Sequence, residues 1–408
     1  MKRTGFINLL LMVAIGLLVA CHSDDDGKKK EEESALQTIL MYFPWADDTS
    51  MYNACQKNIA AMKTAVEYNR GLNGKKLVLF VAETANRGVL IRVRYENGQC
   101  VNDTVKRYTS LQPSNFTTAS GLTEFFKDAM TAAPARKYAM TIGCHGMGWL
   151  PAEGKSAQAK RQMPGLPDSF RPNSFPVDED IETRYFGSHE SSTRYQTDIS
   201  TLKTAVASSF GHLDFLIFDD CYMQTIEVAY ELKDVTDNII ASTCEVMMEG
   251  IPYATVGQYL LQDNYGAIVD GFYDFYKSYK NPYGTMSWLK TSELENTARL
   301  MKTINGLHTF NKDKFSQIQT FDLETNSVFM DMGSYIRLLC EDDTSLYNQM
   351  TEQLNKLIPK KAHTDYCYVV KYRRAFPIEE FSGISISDPS PSAEASSKET
   401  TSWWKATH

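Results

Sequence analysis

The sequence predicts an α/β fold with a mainly parallel sheet, and three observations support this prediction. Continuous apolar runs at residues 37–43 and 76–82 are typical of strands that are buried on both faces of a parallel sheet. Residues 51–68, which lie between these runs, carry apolar side chains at helical spacing. Two further apolar runs end abruptly in reactive residues, the first at His145 and the second at Cys221. Strands that alternate with helices in this way form parallel sheets with right-handed connections.

The sequence also predicts a β-hairpin, further helices, several short strands and a C-terminal tail. An Asn97-Gly98 turn signal between residues 89–95 and 99–108 predicts a β-hairpin. Helices are expected at 122–133 and 197–210, immediately after Cys221, and over most of 254–357; short strands are expected at 238–242, 327–332, 367–372 and 383–387. Residues 388–408 are rich in Ser, Thr and Pro and are expected to be a tail, although Trp403 and Trp404 suit docking on the domain.

Composition limits the classes of function. The 408-residue chain has 42 basic and 50 acidic residues and a net charge of −8, which argues against nucleic acid as the main partner. None of the eight cysteines forms a CxxC motif, and none lies near histidines with zinc spacing. We therefore expect neither a disulfide framework nor a structural zinc.

The N-terminus has the pattern of a signal segment. Lys2 and Arg3 precede an apolar run that is too short for a comfortable membrane span, and the run closes in Leu-Val-Ala-Cys at 18–21. This tetrapeptide resembles a bacterial lipobox, which implies a signal peptide at 1–20 and a lipid on Cys21. The alternative is an ordinary secretory signal with a chance cysteine.

The segment after Cys21 points to the cell envelope. Residues 21–35 are charged and polar, as in a solvated tether. Their acidic residues resemble the export signals of Bacteroidetes surface lipoproteins. The expected location is the outer membrane of a Gram-negative bacterium, facing either the periplasm or the outside.

His145 and Cys221 are candidates for one nucleophilic site, because the carboxyl ends of parallel strands meet at one edge of a sheet. A helix that starts at Cys221 would stabilise its thiolate. Gly146 offers an unobstructed N–H for an oxyanion hole, together with the N–H of Cys221. The alternatives are a buried inert cysteine, a structural histidine, and an Asp219 that caps the helix.

A family resemblance rests on four motifs taken in order. They are His-Gly-Met-Gly-Trp at 145–149, Phe-Asp-Asp-Cys-Tyr-Met at 218–223, Glu-Val-Ala-Tyr-Glu-Leu at 227–232, and Ile-Ile-Ala-Ser at 239–242 followed by Gly-Ile-Pro-Tyr at 250–253. Residues 36–290 thereby resemble the clostripain-like cysteine peptidases. The resemblance implies a peptidase domain at 36–387, as a three-layer sandwich with a mainly parallel caspase-like sheet and added C-terminal helices. It also implies that His145 is the catalytic histidine and Cys221 the nucleophile.

The resemblance further implies cleavage after Arg or Lys in protein or peptide substrates. Asp219 is the first candidate for the acidic group of the substrate pocket, Glu249 the second and Glu245 a weaker third. Two departures from the family pattern, Asp220 in place of a small residue and Cys244 in place of Thr, affect the fine specificity.

Maturation by self-cleavage is implied as well. The loop at 150–195 has many Pro, Gly and Ser residues, and loops of this length inside compact domains are usually functional or disordered. It carries Lys155, Lys160 and Arg161, and cleavage is predicted near Lys160-Arg161. Some family members depend on calcium, but the acidic run at 177–182 lacks EF-hand spacing, so no metal or cofactor is assigned.

Two other functions remain to be separated from this one. The first is a catalytically inactive peptide-binding lipoprotein of the same fold. The second is a peptidase with acidic specificity, which needs a basic pocket. Residues 219–223 and 244–253 contain no Arg or Lys, and this disfavours the second.

Overall fold

A computed structural model describes residues 35–44, 49–152, 181–182, 184 and 196–408. Within these residues the strands are β1 (Ala35–Phe43), β2 (Lys76–Thr84), β3 (Arg87–Glu96), β4 (Gln99–Tyr108), β5 (Ala135–Ile142), β6 (Leu216–Phe218), β7 (Asn238–Ala241), β8 (Thr285–Lys290), β9 (Met330–Asp331), β10 (Lys360–His363), β11 (Tyr366–Val369), β12 (Arg374–Pro377) and β13 (Ser385–Ile386). The helices are α1 (Thr49–Tyr68), α2 (Pro113–Thr117), α3 (Ala119–Ala132), α4 (Ile199–Ser208), α5 (Ile226–Leu232), α6 (Tyr253–Leu261), α7 (Tyr265–Tyr276), α8 (Leu294–Leu307), α9 (Met332–Leu339), α10 (Thr344–Leu357) and α11 (Ser402–Thr407).

The described strands form one large sheet in the order β10-β8-β7-β6-β5-β1-β2-β3-β4, and two small antiparallel pairs. Its central strands β2, β1, β5, β6 and β7 are all parallel. Antiparallel strands extend it on both sides, the hairpin β3–β4 beyond β2 and the strands β8 and β10 beyond β7. The predicted α/β fold with a parallel centre and an added hairpin is therefore confirmed.

Helices cover both faces of this sheet. In β1 the side chains of Ile39, Met41 and Phe43 join the core on the side of α1, α6 and α7. Those of Leu40 and Tyr42 join the core on the side of α3, α4 and α5. Successive side chains of a strand point to opposite faces, so a strand covered on both faces must be apolar throughout. This explains the continuous apolar runs in the sequence.

Strands β8 and β10 differ from the prediction, which made residues 254–357 mostly helical and placed no strand at 360–363. In β8 the polar side chains of Thr285 and Ser287 are fully buried. The Thr285 hydroxyl lies 2.9 Å from that of Ser242, and the Ser287 hydroxyl donates to the carbonyl of Gly383 at 2.5 Å. Tertiary partners thus satisfy hydroxyls that make this strand inconspicuous in the sequence.

The C-terminal residues 388–408 also differ from the prediction, because they pack on the domain instead of forming a tail. The short helix α11 contacts α5 and α8. Its Trp403 is fully buried and donates an indole N–H to Asp388 at 3.3 Å. Burial of one large ring and its paired N–H offsets the polar composition of the segment. None of the helices in the described part of the chain is long and apolar enough to cross a membrane.

Candidate active site

The register of two parallel strands brings the predicted catalytic loops together. Ile142 at the end of β5 pairs with Phe218 at the end of β6. His145 and Cys221 follow these partners at the same distance along the chain. The N–H of Asp219 donates to the carbonyl of Ile142 at 2.8 Å, so the pairing continues past the strand ends.

The two loops are in direct contact beyond the strands. A Cβ atom added to Gly146 would collide with the carbonyl oxygen of Cys221 and lie 3.0 Å from its nitrogen. The carboxyl group of Asp220 accepts the backbone N–H of Cys144 at 2.6 Å. Because Cys144 and Gly146 flank His145, both contacts position the histidine, which is 7% exposed, beside the cysteine loop.

Cys221 is fully buried in this structure. Its Sγ accepts the N–H of Val246 at 3.2 Å. Burial, together with the negative charge of Glu245, raises the pKa of the Cys221 thiol well above its ordinary value, although the Val246 N–H opposes this shift. The thiol is therefore protonated at neutral pH in this arrangement, and a thiol is a much weaker nucleophile than a thiolate.

The expectation that a helix starts at Cys221 is wrong. Helix α5 begins at Ile226, and its N-cap is Thr225, whose hydroxyl accepts the N–H of Val228. The chain turns sharply after the cysteine, where Tyr222 has a φ of 60°. The helix dipole therefore does not stabilise a Cys221 thiolate. Asp219 does not cap the helix either.

Asp219 is fully buried and paired. Its Oδ1 accepts the N–H of Ile251 at 2.8 Å, and its Oδ2 lies 2.7 Å from Nη1 of Arg184, which is also fully buried. Burial raises the pKa of Asp219, while the positive charge of Arg184 acts in the opposite direction. The first candidate for the acidic pocket thus already binds a guanidinium group.

The guanidinium of Arg184 has an acceptor for every nitrogen. Nη1 also donates to the carbonyl of Asp219 at 2.9 Å. Nη2 donates to Oδ1 of Asn58 at 2.6 Å and to the carbonyl of Met248 at 3.2 Å, while Nε reaches the same carbonyl at 3.3 Å. Gly250, with a φ of 68°, forms a wall where any Cβ would collide with this guanidinium.

Arg184 and Asn58 were not singled out by the sequence. Arg184 is one of several basic residues in the aperiodic segment 150–195, and no local pattern separates it from the others. Asn58 did carry a signal, because it is a polar residue on the otherwise apolar buried face of α1. A buried amide on such a face requires hydrogen-bond partners, which points to a polar pocket.

The other acidic candidates lie elsewhere. The Glu249 side chain is exposed and accepts the hydroxyl of Tyr279 at 2.5 Å. Glu245 is buried behind Cys221, where its oxygens accept the Tyr222 hydroxyl at 3.3 Å and the Val370 N–H at 3.0 Å. These contacts do not place either carboxylate in the pocket that holds the guanidinium of Arg184.

Several predicted positions fall outside the described residues. They include Cys21 with the signal peptide at 1–20, the self-cleavage candidates Lys160 and Arg161, and most of the acidic run at 177–182. Across the parts of the chain that are described, no group of three or more His, Cys, Asp and Glu side chains is arranged to hold a metal ion.

A parallel sheet that presents a histidine loop and a cysteine loop at neighbouring strand ends, with helices on both faces, defines a cysteine peptidase with a caspase-like fold. The sequence profile of the clostripain family, peptidase C11, matches residues 173–376, and the chain belongs to this family. The predicted family, fold class and type of enzyme are thereby confirmed. No curated protein matches the chain.

Solved structures of the family resemble this chain over most of its length. A secreted C11 cysteine protease from Bacteroides thetaiotaomicron, described as iotapain, is 41% identical with a TM-score of 0.81, over 92% of this chain and 100% of that one. A clostripain from Bacteroides thetaiotaomicron ATCC 29148, in complex with the peptide inhibitor BTN-VLTK-AOMK, is 46% identical with a TM-score of 0.52, over 55% of this chain and 99% of that one. An inactive zymogen C11 protease from Parabacteroides distasonis is 24% identical with a TM-score of 0.72, over 92% of this chain and 99% of that one, and it shares the fold.

Proposed function

We propose that this cysteine peptidase is an endopeptidase that cleaves after Arg or Lys by means of a Cys221/His145 dyad. The observation that carries the proposal is the fully buried ion pair between Asp219, next but one to Cys221 in the sequence, and the basic side chain of Arg184. A buried carboxylate is costly unless a cation pairs with it, so this pocket favours a substrate with a cationic side chain. The related clostripain is in complex with an inhibitor whose peptide part, VLTK, ends in lysine, and this supports the same specificity.

The chemistry follows from the assigned roles. His145 takes the proton of the Cys221 thiol as the sulfur attacks the carbonyl carbon of the substrate. The N–H groups of Gly146 and Cys221 bind the oxyanion, and His145 returns the proton to the leaving amine. Water then hydrolyses the thioester, which frees the new carboxyl terminus and restores the thiol.

Activation by self-cleavage is part of the proposal. Cys221 is buried and the pocket of Asp219 is filled by a residue of the chain itself, which is the state expected before activation. We place the cleavage in the loop between His145 and Cys221, where Lys160 and Arg161 are the candidates from sequence.

We also propose that the mature protein is anchored to the outer membrane by a lipid on Cys21. The lipobox-like tetrapeptide at 18–21 and the polar tether at 21–35 support this placement. Metabolic labelling of cells with an alkyne fatty acid is expected to tag the wild type and not Cys21→Ser. A tag on both proteins, or on neither, would contradict the anchor.

Hydrolysis of arginine and lysine amides by the purified protein tests the activity. Under reducing conditions and after the loop has been cut, the wild type is expected to turn over both amides and Cys221→Ala neither. Equal rates for the two proteins would exclude the dyad. Peptide binding without turnover by either protein would instead support the inactive binding lipoprotein.

Two further variants separate the acidic candidates. Asp219→Asn is expected to lower kcat/KM for an arginine amide by about two to three orders of magnitude, because it removes one partner of a buried charge pair. Glu249 is assigned the weaker, second acidic role, since its exposed carboxylate is screened by solvent. Glu249→Gln is therefore expected to lower kcat/KM less than Asp219→Asn, and the reverse order would contradict the assignment.

A further inference from the structure

The backbone at Arg184 lies in the site in the manner of an extended peptide. Its N–H donates to the carbonyl of Val246 at 2.8 Å, and the N–H of Met248 donates to the carbonyl of Glu182 at 3.0 Å. Hydrogen bonds from 184 to 246 and from 248 to 182 have the spacing of two antiparallel strands. Many proteins bind extended peptides by adding them as a strand in this way.

The carbonyl group of Arg184 lies where the reaction requires it. Its oxygen accepts the N–H of Gly146 at 3.2 Å. This N–H is the one assigned to the oxyanion hole, and Gly146 touches the backbone of Cys221. A carbonyl held by an oxyanion-hole donor beside the nucleophile has the position of a carbonyl about to be attacked.

The side chain of Arg184 satisfies the pocket fully. Besides the ion pair with Asp219, its guanidinium reaches Oδ1 of Asn58. The orientation of that amide is fixed, because Nδ2 of Asn58 donates to the carbonyls of Glu249 at 2.9 Å and Ile251 at 3.4 Å. The oxygen must therefore face the guanidinium, and the pocket presents a carboxylate and an amide oxygen to a forked cation.

We propose that the chain holds Arg184 as its own substrate, and that self-processing cleaves the peptide bond that follows Arg184. This inference rests on the proposed peptidase function. The Cys221 sulfur bonds to the carbonyl carbon of Arg184 as its proton passes to His145. The bond from that carbon to the next nitrogen then breaks, and the departing amine takes the proton. Water cleaves the thioester, leaving Arg184 as a new carboxyl terminus.

The proposal differs from cleavage near Lys160-Arg161 in two measurable ways. The new amino terminus is Tyr185, the residue after Arg184 in the sequence. Processing is also intramolecular, because Arg184 is fully buried in the pocket of its own chain and is inaccessible to a second molecule. Its rate constant is therefore independent of protein concentration.

The experiment follows processing by intact mass and by sequencing of the new amino terminus. The proteins are wild type, Arg184→Lys, Arg184→Ala, the matched control Lys160→Ala/Arg161→Ala, and Cys221→Ala. Wild type and the control are expected to be cut before Tyr185. Arg184→Lys is expected to be cut about tenfold to a hundredfold more slowly, the value of one charge-assisted hydrogen bond, and Arg184→Ala is expected not to be cut there. Tagged Cys221→Ala should stay intact while equimolar wild type processes itself.

Thermal unfolding of the double variant Arg184→Ala/Cys221→Ala, compared with that of Cys221→Ala, shows whether the protein folds without Arg184. If it does not fold, Arg184→Lys still tests the proposal. A new terminus after Lys160 or Arg161 that is unaffected by Arg184→Lys would overturn the proposal. So would the absence of any cleavage that depends on Cys221. If the protein still hydrolyses arginine amides in either of these cases, only the cleavage site is overturned and the proposed function stands. If self-processing and amide hydrolysis are both absent, the proposed function is overturned as well.

Discussion

Gly146 lies directly against the backbone of Cys221, with no room for a side chain between them. The methyl group of Gly146→Ala would collide with the Cys221 carbonyl and lie 2.9 Å from Cβ of Asp220. The two loops must then separate, which displaces the proposed oxyanion donor. We expect Gly146→Ala to lower kcat on an arginine amide by about 10²–10³-fold, the value of one such donor.

Gly306→Ala provides the matched control for this prediction. Gly306 lies near the end of α8, and a Cβ added there meets no atom within 4 Å. The control is expected to keep wild-type kcat and a wild-type melting temperature or a slightly higher one, because Ala favours helix. Wild-type kcat in Gly146→Ala would show that the contact has no catalytic consequence.

Asp220 joins the two loops by accepting the N–H of Cys144. Burial raises the pKa of Asp220 well above its ordinary value, although the N–H of Cys144 opposes this shift. Asp220→Asn keeps an oxygen of the same shape and is expected to retain most of the activity. Asp220→Ala leaves the N–H unsatisfied and misplaces the His145 loop, and it is expected to lower kcat by about 100-fold.

Wild-type activity in both Asp220→Asn and Asp220→Ala would contradict the role of the hydrogen bond. Activity that is lost equally in both would show instead that Asp220 must be ionised. Steady-state kinetics on an arginine amide, with circular dichroism as the check of folding, distinguishes these outcomes.

The parallel centre of the sheet was predictable because its strands are covered on both faces. Burial on both faces makes each strand a continuous apolar run, so the ends of β5 and β6 at Ile142 and Phe218 are marked in the sequence. The positions of His145 and Cys221 at one edge of the sheet were predictable for the same reason. The positions of these two residues are set by the ends of β5 and β6, which the sequence marks clearly.

What the sequence did not reveal depends on contacts between distant segments. The start of α5 at Ile226 instead of Cys221 is set by the Thr225 cap and by the turn at Tyr222. The pairing of Arg184 with Asp219 and Asn58 joins three segments that have no common local pattern. Composition alone also favoured a tail at 388–408, where the structure buries Trp403 against the domain.

Trp403 is expected to hold the C-terminal segment on the domain. Its ring is fully buried and lies 5.7 Å from that of Tyr230 in an edge-to-face arrangement. Trp403→Ala in the Cys221→Ala background is expected to lower the free energy of unfolding by about 3–5 kcal/mol, as large-to-small changes in a core do. Urea titration measures this loss.

Trp404→Ala is the neighbouring control. Trp404 is only half-buried and stacks on His408, the last residue of the sequence. Its loss is expected to be much smaller than that of Trp403→Ala, because less apolar surface returns to water. Equal losses in the two variants would contradict a specific docking role for Trp403.

The buried carboxyl groups of Glu227 and Asp388 are expected to make stability depend on pH. Burial, with a contribution from Asp388, raises the pKa of Glu227 from 4.5 to about 8. Burial likewise raises the pKa of Asp388 from 3.8 to about 7. Between the unfolded and the folded pKa of each group, the folded protein binds more protons than the unfolded chain. The free energy of unfolding therefore falls as the pH rises through this interval. The contribution is complete below pH ~4 and lost above pH ~8.

Glu227→Gln removes one titrating group and keeps an oxygen that can accept the Ser387 N–H, which Glu227 accepts at 2.7 Å. In the Cys221→Ala background, urea unfolding from pH ~4 to ~9 is expected to give a flatter curve for this variant, since each unit of pKa shift is worth about 1.4 kcal/mol. Glu352→Gln, on the exposed side of α10, should leave the curve unchanged. Parallel curves for Cys221→Ala and Glu227→Gln would show that Glu227 does not titrate in this interval, and a curve that rises with pH would reverse the sign of the linkage.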